Sequence, residues 1–207
     1  MKPPQSAALV TTLVLAMSVA SDGGGSNQPE RRTVSQQVTI ELRADGRFDQ
    51  TTVVVSENIG AEPLTHCSFF GSWNTLKAVF DEDGEALEYT VQKERDGYRV
   101  RVALRQPVAP GERVALRLVD PDHGVYLGKN GVYAYGTNHW PGAEIDFEST
   151  IVVKPGLRLL YCEPEPDSRS TRDGMPTVTY RRHLRADENF KCRILYQPTK
   201  PRASKGG

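Results

Sequence analysis

From Val34 onward, apolar and polar residues alternate with period two. Val38, Ile40 and Leu42 alternate with Thr39, Glu41 and Arg43; Tyr98, Val100, Val102 and Leu104 with Arg99, Arg101 and Ala103; Val114, Leu116 and Leu118 with Ala115 and Arg117. Successive side chains of a strand point to opposite faces, so each run predicts a strand with one face buried. Similar segments are Thr51 to Ser56, Leu64 to Phe70, Leu76 to Phe80, Ala86 to Lys93, Val132 to Thr137, Glu144 to Val153, Leu157 to Cys162, Thr177 to His183 and Phe190 to Gln197. Between them stand Asp45-Gly46, Asp83-Gly84, Asp96-Gly97, Pro110-Gly111, Pro155-Gly156 and Asp173-Gly174, read as tight turns in which glycine supplies a positive φ. This punctuation leaves no window for a sizeable amphipathic helix. One-faced sheets must pack their apolar faces together, so roughly a dozen short strands predict an all-β fold, an antiparallel β-sandwich, over residues 34–198.

The ends break the pattern. Met1 and Lys2, the apolar run Ala7 to Val19 and the small-x-small sequence Ser18-Val19-Ala20 have the order of a secretory signal peptide, residues 1–20. That run is too short for the roughly 20 residues that span a bilayer as a helix, so no transmembrane segment is expected in the mature chain. Residues 21–33 open with SDGGGSNQPERR and read as a flexible linker; residues 199–207, without a large apolar side chain, read as a disordered tail. A secreted or periplasmic location follows. The chain carries 26 Lys+Arg and 26 Asp+Glu, a balance that argues against a general electrostatic partner such as nucleic acid or an anionic membrane.

Candidate chemistry is sparse. His66, His123, His139 and His183 form no HExxH pair, and the chain has no CxxC, phosphate-cradling glycine loop or GxSxG elbow. Asp120-Pro121-Asp122-His123-Gly124 opens like a calcium loop, but glycines, Gly124 and Gly131, occupy the positions that need oxygen ligands. No metal or cofactor is therefore expected. The stretch from Tyr126 to Gly142 concentrates Tyr126, Tyr133, Tyr135, His139 and Trp140 among glycines and amides. Flat aromatic faces with polar rims suit a protein, peptide or glycan ligand, although the same aromatics would also cap the open end of a sandwich. In an exported chain, Cys162 and Cys192 are candidates for a disulfide, and Cys67 reads as a small buried hydrophobe.

Three segments in order carry a family resemblance: YRVRVALRQPVAPGERVALRLV from Tyr98 to Val119, the aromatic stretch ending in HWPG, and DFESTIVVKPGLRLL from Asp146 to Leu160. Their order is similar to that of the N-terminal β-sandwich, or saddle, domain of the aminopeptidase N family of zinc peptidases. The resemblance spans about Val38 to Tyr196 and implies a sandwich fold. In that family the zinc ligands and general base belong to a second, helical domain, so it carries no catalytic residue onto this sequence.

Two function classes remain. One is a non-catalytic extracytoplasmic β-sandwich that binds a protein, peptide or glycan through the aromatic stretch. The other is a small hydrolase assembled around His139, Asp146 and Glu148, which requires a histidine within hydrogen-bond reach of a carboxylate in a concave site.

Overall fold

The computed structural model describes residues 31–121, 131–137, 144–185 and 188–199, with 131–137 described as backbone. In chain order the strands are β1 (Arg31–Leu42), β2 (Phe48–Asn58), β3 (Leu64–Gly71), β4 (Ala78–Phe80), β5 (Tyr89–Glu94), β6 (Gly97–Val108) and β7 (Arg113–Asp120). There follow β8 (Gly131–Thr137), β9 (Ile145–Val153), β10 (Leu157–Glu163), β11 (Ser168–Arg172), β12 (Met175–Leu184) and β13 (Phe190–Pro198). A seven-stranded sheet runs in the order β11-β12-β9-β1-β2-β7-β4; two three-stranded sheets, β10-β13-β8 and β3-β6-β5, accompany it. The all-β sandwich expected from the alternation is the observed fold, with one parallel pair, β1 beside β9, among antiparallel ones.

One apolar core joins the three sheets. It takes Val38, Ile40 and Leu42 from β1, Ile151 and Val153 from β9, Phe69, Val100 and Val102 from the β3-β6-β5 sheet, and Cys192, Ile194 and Tyr196 from β13. Phe190 of β13 meets Phe147 of β9 and Tyr180 of β12 with ring centroids 5.4 Å and 5.2 Å apart, locking one small sheet onto the large one. These are the alternating positions of the sequence, and alternation makes one face of each strand available for this contact.

β1 starts at Arg31, three residues before the alternation becomes legible and inside the segment read as linker. The reason is a bulge between Thr33 and Ser35, which moves the buried positions from Arg31 and Thr33 to Gln36, Val38 and Ile40. Arg31 is buried with its guanidinium 4.6 Å from the centre of the Phe69 ring, and it donates to Ser56 Oγ and to the carbonyl of Ser68. A cation held this way pins the strand start against β3. β11 also escaped the pattern, because its sequence SRSTR lies at a sheet edge and alternates no apolar side chain.

Gly46, Gly84, Gly111, Gly156 and Gly174 have positive φ, as their turns require. Gly97 does not follow this rule: a Cβ there would lie 2.7 Å from the Phe70 ring and 2.9 Å from the Gly71 carbonyl oxygen, so it is required for close strand approach. No helix of the described residues is long and apolar enough to cross a membrane.

Candidate functional site

Of the aromatic stretch, Tyr126, His139 and Trp140 lie outside the described residues. Tyr133 and Tyr135 stand on β8, in register with Ile194 and Cys192 of β13, both of which are buried. Their backbone positions are thus set at the edge of the β10-β13-β8 sheet.

The carboxylates named for a hydrolase lie on the open face of the large sheet. Asp146 and Glu148 of β9 stand opposite Ser35 and Gln37 of β1 on one side and opposite His183 and Arg181 of β12 on the other. Arg181 donates to Glu148 at 2.7 Å, and the His183 Nδ1 lies 2.8 Å from Asp146 Oδ1. Nε2 of the same imidazole is 3.4 Å from Glu144. Ser35, Gln37, Asp146, Glu148, Arg181 and His183 line an open groove of about 380 Å³. Ser35, Asp146 and His183 form one cross-strand row with the carboxylate in the middle. Strands are spaced about 4.8 Å apart, which leaves Ser35 about 10 Å from His183. A nucleophile and its base must be within hydrogen-bond reach, so this order cannot activate Ser35 through His183.

His183, unremarked in the sequence except as one of four histidines, is the most electrostatically committed of these groups. Its hydrogen bond with Asp146, then that with Glu144, hold its pKa above the ordinary histidine value of 6.5. Any stabilisation from this pairing is present below pH 6.5 and is lost as pH rises through the raised folded pKa, because deprotonation removes the charge. The groups are exposed, so water weakens the effect. A proton NMR titration should place the His183 midpoint above 6.5, and Asp146→Asn should lower it. A midpoint unchanged by that substitution would remove Asp146 as the cause. Nearby, Asp167 accepts from the backbone N–H of Arg181 at 2.6 Å and from Arg182 at 2.6 Å, which hold its carboxyl below the usual range.

The structure draws no bond between Cys162 and Cys192, the pair expected to form a disulfide, and Cys67, Cys162 and Cys192 are all buried. Cys162 pairs in register with Ile194, two residues from Cys192, so the thiols occupy diagonal positions of one face. Diagonal neighbours sit about 7 Å apart, well beyond the Cβ separation of about 4 Å that a disulfide needs. Burial pushes the Cys162 and Cys67 thiols up, and Tyr180, largely through burial, follows in the same direction. Such thiols are poor nucleophiles. A thiol reagent should therefore react slowly with the native domain and count three thiols after denaturation without reductant; a count of one would restore the disulfide.

With the layers and register in view, known structures provide the comparison. An M1 zinc metallopeptidase from Deinococcus radiodurans superposes with a TM-score of 0.56 at 13% identity, over 83% of this chain and 43% of that one. The chain has the fold of the M1 peptidase N-terminal β-sandwich. A mutant of the M1 enzyme and its complex with L-arginine each match at TM-score 0.57 and 14% identity, with the same coverage. No family model matches the sequence, and a search of curated proteins finds no match. Two segments of the M1-type resemblance map onto neighbouring pairs of strands in the chain: Tyr98 to Val119 covers β6, its turn and most of β7, and Asp146 to Leu160 joins β9 to β10. The HWPG end of the aromatic stretch falls outside the described residues. The chain spans less than half the length of the M1 enzymes it matches.

Proposed function

We propose that this M1-type sandwich is a non-catalytic, secreted or periplasmic binding domain that holds a protein, peptide or glycan through the segment from Tyr126 to Trp140. The observation that carries the reading is the fold itself: the likeness covers 83% of this chain and 43% of the peptidase. Two further features support it. Asp146 and Glu148, the carboxylates of the hydrolase alternative, are each engaged by a cation or imidazole on an open sheet face. The apolar Ala7 to Val19 run before a small-residue cleavage sequence supports export.

Aromatic anchors supply large contact area at low rotamer cost, so Trp140 is the residue whose loss should weaken binding most. The experiment uses residues 21–207 as bait in an extracytoplasmic extract, with Trp140→Ala and Tyr126→Ala beside the parent. A captured partner should be lost with Trp140→Ala while the melting temperature changes little, and a panel of aminoacyl and peptidyl anilides should not be turned over. Turnover abolished by Asp146→Asn would establish the hydrolase instead. Unfolding by Trp140→Ala, with capture indifferent to Tyr126→Ala, would make the stretch a lid of the core.

A further inference from the structure

β6 and β7 follow one another in the chain but do not pair: β6 belongs to the small β3-β6-β5 sheet and β7 to the large one, and the two strands diverge. β5 pairs with β6 only as far as Val102, and the Ala103 N–H then donates to the Glu88 carbonyl. On that side Leu104 to Val108 has no strand beside it among the described residues. β7 pairs with β2 from Arg113 to Asp120, but β4 covers its other side only from Arg117 to Val119. The outer edge of Arg113 to Leu116 is therefore also unpaired among the described residues. β4 stops short because the chain turns away at Asp81, whose carboxylate accepts from the N–H groups of Asp83 and Glu85.

Between these two edges lies a cleft of about 250 Å³. Leu87 and Leu116, both buried, and the half-buried Leu104 and Val114 give it an apolar floor. Its rim is acidic: Asp81, Glu82, Asp83 and Glu112. The two rim cations are already committed, Arg105 to Asp81 at 3.0 Å and Arg113 to Glu57 at 3.3 Å. Negative charge is left over at Glu82, Asp83 and Glu112.

Resting on the reading of the chain as a binding domain, we propose that this cleft accepts an extended peptide with one apolar side chain between basic residues, added as a strand in line with β4 along the free edge of β7. Each element of the occupant answers an element of the site. The four residues from Arg113 to Leu116 offer about 13 Å of strand edge, enough for a short segment. An added strand satisfies backbone donors and acceptors in alternation and directs alternate side chains to one face. One of these fills the apolar floor, whose volume suits a single leucine or phenylalanine, and its neighbours meet the acidic rim. The β6 edge is the poorer template because Pro107 lacks an N–H. This surface is separate in sequence from Tyr126 to Trp140.

The test uses residues 21–207 and fluorescein-labelled peptides of alternating lysine and leucine, read by polarisation at low and high salt. Three comparison peptides carry glutamate for lysine, serine for leucine, or N-methyl groups at alternate backbone nitrogens with the side chains retained. The lysine–leucine peptide should bind saturably and weaken with salt, and the three comparison peptides should each bind at least tenfold more weakly. Glu82→Lys with Asp83→Lys, both at the surface turn, should reduce its affinity at least tenfold with the melting temperature unchanged. No saturable binding, equal binding of the N-methylated peptide, or indifference to the charge reversal would each overturn the proposal. The Trp140→Ala capture experiment is independent of it: capture without peptide binding overturns the cleft alone, whereas loss of both overturns the binding-domain reading as well.

Discussion

Val100→Asp should unfold the domain, while Arg101→Asp should leave it folded. Val100 has no exposed surface and stands in the centre of β6, opposite Phe69 of β3 and Val91 of β5. A carboxylate there enters the apolar core that Val100 shares with Phe69 and Val102, and burying a charge in such a place costs several kcal/mol, of the order of a domain's whole stability of about 5 to 15 kcal/mol. Arg101, one residue on, points from the same strand to solvent, and surface changes of that kind stay within about 0.5 kcal/mol. Urea denaturation followed by circular dichroism distinguishes the two: a native strand spectrum and cooperative transition for Arg101→Asp, neither for Val100→Asp. Equal losses would mean that the inward and outward faces of β6 are misassigned.

The second large effect belongs to Trp73. It is the largest fully buried side chain among the described residues, and it lies so close to Gly71 that a Cβ on that glycine would be 2.8 Å from its Nε1. Trp73→Ala removes the contacts of the whole indole and leaves a cavity, which should cost about 3 to 5 kcal/mol. Trp73→Phe should cost clearly less, because it keeps an aromatic filling and removes an indole N–H that has no hydrogen-bond partner. Chemical denaturation of the three proteins measures the order. A phenylalanine variant as unstable as the alanine variant would show that the indole N–H is satisfied in solution, by a bound water for example.

The two expectations differ in how far they were visible beforehand. Val100 was identified as inward from the alternation alone. Trp73 follows the end of β3 and belongs to no periodic run, so the alternation gives no sign of its burial. The same contrast holds at the candidate sites. Tyr133 and Tyr135 announce themselves by composition. His183 does not, because its partners Asp146 and Glu144 are nearly forty residues away and meet it only through the pairing of β9 with β12. The cleft beside β7 was equally hidden: it arises from where β4 and β5 stop, and a strand's length is limited by its neighbours as much as by its own residues.

By itself the order of residues determined the strand content, the turns at Gly46, Gly84, Gly111, Gly156 and Gly174, and which face of most strands is buried. These are local properties: a two-residue period and a residue that tolerates positive φ act over a few bonds. Only the tertiary structure decided which strands are neighbours, including the parallel seat of β9 beside β1, and therefore that Cys162 and Cys192 are diagonal neighbours, that Asp146 separates Ser35 from His183, and that among the described residues β7 has no strand beside Arg113 to Leu116 on its outer side. Pairing between strands far apart in sequence is chosen by the joint packing of all their faces in one core, and the alternation is compatible with many such pairings.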